Sequence, residues 1–270
     1  MRADVFLTEG GYVQSRQRAK TLIEGGCVVI DGITLTKPST EVSEGEHRVE
    51  ITDSIRYVGR GGLKLEAALD AFSINPCGMS ALDIGASTGG FTDCLLSRGA
   101  ANICAIDAGE GQLSPKLLSD PRVRSIERFN ARELTPDIVG DRVDLIVMDV
   151  SFISATYIMP RFPALLREGG HAVVLIKPQF EVGRQSIGKG GIVKDIRAHR
   201  EAIERVLDAG EGLGLSSVGL IVSPVTGGDG NREFLVDFIY CSETVRRLTN
   251  DRIRAVTGAR SPERKERTEC

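Results

Sequence analysis

The sequence predicts an α/β protein, a doubly wound sheet of seven strands with its last strand antiparallel, preceded by a small α+β unit. Three observations carry this. From about residue 61 onward, short runs of branched apolar residues alternate with helical or loop segments, the pattern of parallel strands covered on both faces. The last two runs, "SVGLIVS" and "EFLVDFIY", are separated only by "PVTGGDGNR", too short for a helical crossover, so they should pair antiparallel. Roughly the first 53 residues read instead as helix, helix, hairpin and strand.

In the front unit, "RADVFLTEGG" places Val5 and Phe6 on a short helix that ends at Gly10 and Gly11. "SRQRAKTLIEGG" opens with Ser15 as an N-cap and stops at Gly25 and Gly26. "CVVIDGITLTKP" is a hairpin turning on Asp31-Gly32, and "HRVEIT" adds a strand. Polar "TDSIRYVGRGG" follows as a linker. The sheet strands are then "ALDIG", "NICAID", "VRSIE", "VDLIVMD", "HAVVLIK" and the final pair, with helical segments such as "GFTDCLLSRG" and "RAHREAIERVLDAG" between the earlier ones. The end of the chain, from "VRRLTNDRIRAVTGARSPERKERTEC", is charged and reads as a tail with a frayed end.

Composition narrows the function. With 270 residues, 41% hydrophobic and 26% charged, the chain suits one or two soluble domains. A net charge of −3 leaves nucleic-acid contact to local basic patches, not to a global field. No apolar run approaches a membrane span, and "MRADVFLTEGG" lacks the layout of a secretory signal. The 6 cysteines form no C-x-x-C pair and read as reduced thiols of a cytoplasmic protein; with 3 scattered histidines, no metal site is expected.

"LDIGASTGGFTDCLL" joins the first sheet strand to a helix through a glycine-rich turn containing Gly85, Ser87, Thr88, Gly89, Gly90 and Phe91. Such a turn lets backbone approach a ligand, and the following helix directs free N–H groups at it. Asp107 closes the next strand, where an acid accepts from a ribose hydroxyl pair. A dinucleotide fingerprint needs glycine where this chain has Ser87, and Asp83, two residues before Gly85, suits an ammonium or a bridging water. A cationic nucleoside without phosphates fits better, and S-adenosylmethionine has that character. Glu127 or Asn130, after the third sheet strand, are candidates for the adenine edge.

Ligands of open α/β sheets sit outside the carboxyl ends of the parallel strands. Asp149 ends the fourth sheet strand and Lys177 the fifth; Glu233 begins the antiparallel last strand, so it belongs to the same edge. Lys64, on a helix leading into the first sheet strand, is a fourth candidate. Singly, each has a plain structural explanation, such as a snorkelling strand end or a turn cap. Together they describe a catalytic edge.

At this point a family resemblance becomes specific. The set Lys64, Asp149, Lys177 and Glu233 resembles the K-D-K-E tetrad of FtsJ-like ribose 2′-O-methyltransferases, and "SRQRAKTLIEGGCVVIDG" resembles the S-four-type RNA-binding domain. That order, followed by "GRGGLKL", "LDIGASTGGFTD", "MDVSFIS", "LIKPQFE" and "GNREFL", resembles the TlyA family from about residue 2 to 242. The resemblance implies a Rossmann-like seven-stranded methyltransferase sheet, S-adenosylmethionine as cofactor, and 2′-O-methylation of cytidine in ribosomal RNA. It implies an RNA-binding domain over 1–55, a linker at 56–60, a methyltransferase domain over 61–245 and a tail over 246–270. Lys64 would favour the neutral form of Lys177, which takes the hydroxyl proton, while Asp149, also placed against the cofactor, and Glu233 hold the amines and hydroxyl in line.

Arg16 and Lys20, one helical turn apart, with Arg18 beside them, make a basic patch that Arg2, Arg60 and Lys37 extend. On an RNA-type fold it would grip phosphates and shape, leaving base choice to the pocket and a flipped nucleotide. With 5% aromatics and no Trp, extensive stacking on single strands is not expected. "GRQSIGKGGIVKD" reads as a mobile loop beside the site. The partners expected are ribosomal RNA and ribosomal subunits, with no membrane and no obligate protein partner. Two other classes are compatible: an inactive RNA-binding assembly factor, and a cytolysin, a label some members of the family carry.

Overall fold

Alternation along the strands becomes two buried faces. The computed structural model describes residues 1–13, 15–43, 45–51, 57–227, 230–241 and 247–258. In the front unit, helices α1 (Ala3–Glu9) and α2 (Arg16–Glu24) pack on strands β1 (Val28–Ile30), β2 (Ile33–Thr34) and β3 (Val49–Ile51), arranged β2-β1-β3. Ser15 caps α2, its Oγ accepting from the Arg18 N–H at 3.1 Å. Asp31 and Gly32 have φ of 51° and 78°, the two positive values that a primed hairpin turn demands. Ala3, Leu7, Ala19, Leu22, Ile23 and Val28 close a small separate core.

The large sheet comprises β4 (Ser80–Ile84), β5 (Asn102–Ile106), β6 (Val123–Ile126), β7 (Val143–Met148), β8 (Leu166–Ile176), β9 (Leu215–Val222) and β10 (Phe234–Tyr240), in the order β6-β5-β4-β7-β8-β10-β9. Only β10 runs against its neighbours. Leu145, Val147, Val173, Leu175 and Leu235 face the layer of α3 (Gly61–Phe72) and α4 (Gly90–Ser97). Ile146, Met148, Val174, Ile176, Phe234 and Val236 face the opposite core. That second layer holds α9 (Ile196–Glu211) and α10 (Asn250–Gly258). Single turns α5 (Pro115–Leu118), α6 (Pro136–Val139), α7 (Phe162–Leu165) and α8 (Pro178–Glu181) lie between strands. Covering both faces is why these strands read as nearly continuous apolar runs.

Two boundary expectations need correction. Residues read as a charged tail include α10, whose Ile253 and Val256 are buried, and Arg232 donates to the carbonyls of Thr257 and Val256 at 2.8 and 2.9 Å. Two apolar residues three apart make a face too narrow for periodicity to detect. The rest of that tail, from 259, lies outside the described residues. Of the linker, Tyr57 is buried and donates to Glu66 at 2.9 Å, and the Val58 N–H donates to Asp93 at 2.9 Å, so 57–60 belongs to the sheet unit's surface. The loop from Gly183 to Asp195, expected to be mobile, is pinned: buried Asn231 accepts from the Val193 N–H and donates to the Gly191 carbonyl, both at 2.9 Å.

Replacing Ser15 with Ala removes the cap that holds the start of α2. The expected cost is about 1 kcal/mol of front-unit stability, read by hydrogen exchange at the amides of the first turn.

Candidate active site

Register assembles the catalytic edge. Ile84 pairs in parallel with Met148, and the Asp149 N–H donates to the Ile84 carbonyl at 3.0 Å, which sets Asp149 beside Gly85. Phe234 pairs with Ile176 across the antiparallel ladder, so Glu233 stands opposite Lys177. Lys64 reaches the same edge from α3, buried.

The four side chains form two ion pairs. Lys64 Nζ donates to Glu233 Oε2 at 2.5 Å, with both groups buried. Lys177 Nζ lies 2.6 Å from Asp149 Oδ1 and donates its aligned hydrogen bond to Ser151 Oγ at 2.8 Å. Burial pushes the Glu233 carboxyl up from its ordinary value; the charges of Lys64 and Lys177 oppose this, and Asp149 adds to it. All four groups therefore share one electrostatic neighbourhood, but each amine has a carboxylate of its own. Lys64, expected to act on Lys177, is instead paired with Glu233. Gly227 closes the back of the site, because a side chain there would run into Glu233 Oε1.

Beside this edge lies a cleft of about 680 Å³ lined by Gly85, Ser87, Asp107, Asn130, Asp149 and Phe152 among others. A smaller recess of about 190 Å³ shares Gly85, Ser87, Asp149 and Ser151 with it and extends to Thr88, Gly90, Phe91, Arg60 and Lys177. Ligand cleft and amine thus connect. At Gly85, φ is 83° and a side chain would meet the Asp149 carbonyl, so only glycine fits the turn. Ser87 also holds a positive φ, 48°, paid for by two bonds: its N–H donates to Asp107 Oδ2 at 2.8 Å and its Oγ to Gln112 at 3.1 Å. Asp107 Oδ1 accepts from the Gly109 N–H at 2.7 Å, leaving one acceptor direction on each oxygen for a vicinal diol.

Asp83 sits under the turn, fully buried. Its Oδ2 accepts from Thr92 at 2.6 Å, while Oδ1 has no hydrogen-bond partner. Burial raises its pKa to about 7, and the nearby carboxylates of Asp149 and Asp107 add to the rise. An orphaned acidic oxygen near two further carboxylates fits a cation. The residues present therefore suit S-adenosylmethionine: Asp107 lines the cleft, while Asp83, expected at the cofactor, lies beneath the turn and is absent from the lining of both cavities.

Other expected positions fall differently. Asn130 lines the cleft, though its Oδ1 also caps the next turn by accepting from the Arg132 N–H at 3.2 Å. Glu127 is turned to the Gly111 N–H at 2.8 Å and is absent from the lining. Gly89 serves packing, since a side chain there would run into Leu117. Sequence reading missed Ser151, which holds Lys177; its only signal is a place two residues beyond the strand-ending acid. It also missed Gly227, hidden in a run of turn glycines.

On the front unit, buried Asp4 gathers two of the expected cations: Arg2 Nε donates to Oδ1 at 2.9 Å and Arg16 Nη2 to Oδ2 at 3.1 Å. These hold the Asp4 carboxyl down at about 2. Arg16, Arg18 and Lys37 are exposed and Lys20 half-buried. Arg60 lies elsewhere, packed on Gly26 and donating to the Thr226 carbonyl at 3.5 Å, on the rim of the recess that holds Lys177. Among the described residues no helix is long and apolar enough to cross a membrane.

Comparison with known proteins agrees with this geometry. The FtsJ-like methyltransferase family matches residues 57–240, and the S4 domain matches residues 1–47. The 16S/23S rRNA (cytidine-2′-O)-methyltransferase TlyA of Mycobacterium tuberculosis is 46% identical over 87% of this chain and 88% of its own length. Hemolysin A of Brachyspira hyodysenteriae is 41% identical over 88% of this chain and 100% of its own. A solved structure from Streptococcus thermophilus, described as a candidate hemolysin, superposes with a TM-score of 0.75 at 39% identity, covering 96% of this chain and 94% of that one.

The sign of the Asp83 shift gives a test. A carboxyl whose folded pKa is raised keeps its proton longer in the fold, so it lowers apo stability as pH rises from the ordinary carboxylate range through about 7. A bound cation prefers the ionised form, so S-adenosylmethionine affinity should fall up to about tenfold from pH 8 to pH 6 by calorimetry. Asp83→Asn should bind weakly at both values and flatten the pH dependence of the apo melting temperature.

Proposed function

We propose that this chain, which belongs to the TlyA family of FtsJ-like methyltransferases, methylates the ribose 2′-hydroxyl of cytidine in ribosomal RNA. The observation that carries the reading is the meeting of two amines and two carboxylates at one sheet edge, beside a cleft suited to a cationic nucleoside. Bound S-adenosylmethionine supplies an electrophilic methyl on sulfonium, so in-line placement of the hydroxyl oxygen and removal of one proton suffice. Gly85, Ser87, Asp107 and Asn130 hold the donor, and Asp83 beneath the turn adds its charge. Lys177, in its neutral form, accepts the hydroxyl proton at Nζ, with Asp149 and Ser151 fixing its direction. Glu233, anchored by Lys64, holds the hydroxyl from the other side.

Residues 1–55 serve as the RNA-binding domain, gripping phosphates through Arg2, Arg16, Arg18 and Lys20, while the sheet unit that begins at Tyr57 carries out methyl transfer in the cytoplasm. Arg60, on the rim of the recess beside Lys177, guides the backbone of the acceptor nucleotide. Ribosomal subunits are the substrates this division favours, because folded shape then supplies the site choice that so few aromatics do not.

Lys177→Ala should abolish tritium transfer from labelled S-adenosylmethionine to ribosomal subunits and leave cofactor affinity within a few-fold; a variant methylating at the native rate overturns the assignment. Arg16→Ala should weaken subunit binding by roughly three- to tenfold in a filter assay at low salt, reduce the salt slope by about one, and leave cofactor affinity unchanged.

A further inference from the structure

The turn α8 begins directly after Lys177 and ends at Glu181, a carboxylate only 3% exposed. Both its oxygens are spent on the loop that follows Asp149. Oε2 accepts from Ser154 Oγ at 2.5 Å, and Oε1 accepts from the Ala155 N–H at 2.8 Å. Arg205 on α9 donates to the Glu181 carbonyl at 3.1 Å, and its Nε lies 4.0 Å from Oε2. Burial pushes the Glu181 carboxyl up, and its bonds to Ser154 and Ala155 work against that.

The segments 149–155 and 177–181 are therefore joined at two places. The near rung is Lys177 with Asp149 and Ser151; the far rung is Glu181 with Ser154 and Ala155. Beside the rungs the rings of Phe152 and Phe180 touch, centroids 5.4 Å apart, with Phe152 otherwise 92% exposed. Phe152 has a φ of 65°, a backbone that bulky residues rarely adopt, and its loop is tied on either side of it by Ser151 and by Ser154 with Ala155. A buried carboxylate is a costly way to join two loops unless their spacing matters.

We infer that Glu181 is a positioning residue for methyl transfer: by bridging the two loops it sets the alignment of the Lys177–Asp149 pair. This rests on the reading of Lys177 as proton acceptor. A displacement of about 1 Å at a reacting group can cost a hundredfold in rate, so the effect belongs in kcat.

The test compares full-length Glu181→Ala, Glu181→Gln, Ser154→Ala, the Glu181→Ala/Ser154→Ala double variant and Lys177→Ala on ribosomal subunits with tritiated S-adenosylmethionine. Glu181→Ala should lower kcat about ten- to a hundredfold in the folded fraction, with KM for the cofactor nearly unchanged. Glutamine can accept from Ala155 and donate to Ser154, so Glu181→Gln should stay within about threefold of wild type. Ser154→Ala should lose kcat in the same way, and the double variant should lose little more. If Glu181→Ala does not fold, Ser154→Ala decides the matter alone. A Glu181→Ala enzyme within about threefold of wild type, or a loss confined to KM, overturns the inference while Lys177→Ala stays inert. A fully active Lys177→Ala overturns the proton-acceptor reading and this inference with it.

Discussion

The site depends on a single antiparallel register. Because Phe234 lies across from Ile176, the residue before one strand faces the residue after the other, and Glu233 meets the edge where Lys177 ends β8. Side chains on a strand alternate with period two, so a slip of one position would turn Phe234, Val236 and Phe238 into the opposite core layer, which is packed around Leu235, and move Glu233 away from Lys64. Core packing and catalytic geometry are therefore enforced by the same ladder. The reversed last strand lets a residue from the start of one strand join residues from the ends of two others, Asp149 and Lys177.

Charge in the site follows a division of labour. On the acceptor side each ammonium has a carboxylate, which lets charged groups sit in a half-buried place without a large net field. On the donor side the balance is deliberately incomplete: Asp83, Asp107 and Asp149 lie near one another, and Asp83 keeps an oxygen without a partner. A surplus of negative charge at this end of the cleft suits a cationic ligand. Asp149 belongs to both halves, lining the cleft while facing Lys177.

The front unit uses the same device in reverse. Buried Asp4 holds Arg2 and Arg16 on its two oxygens, so both guanidiniums are fixed in direction. Arg60 stands apart from that pair, packed between Gly26 and the recess beside Lys177, where the two units approach each other.

Much was legible in the primary structure because it is local. Apolar runs, the Asp31-Gly32 turn, the Ser15 cap and the glycine-rich loop before α4 each declare themselves within a few residues, and strand order then implies which ends share an edge. Tertiary structure decided what depends on direction and distance. It paired Lys64 with Glu233 and Lys177 with Asp149, and it brought in Ser151 and Glu181 as supports. It turned Glu127 away from the cleft and folded a charged segment into α10. Spacing along a chain specifies which face a residue occupies, but a hydrogen bond forms within about 3 Å, a scale that only packed neighbours set.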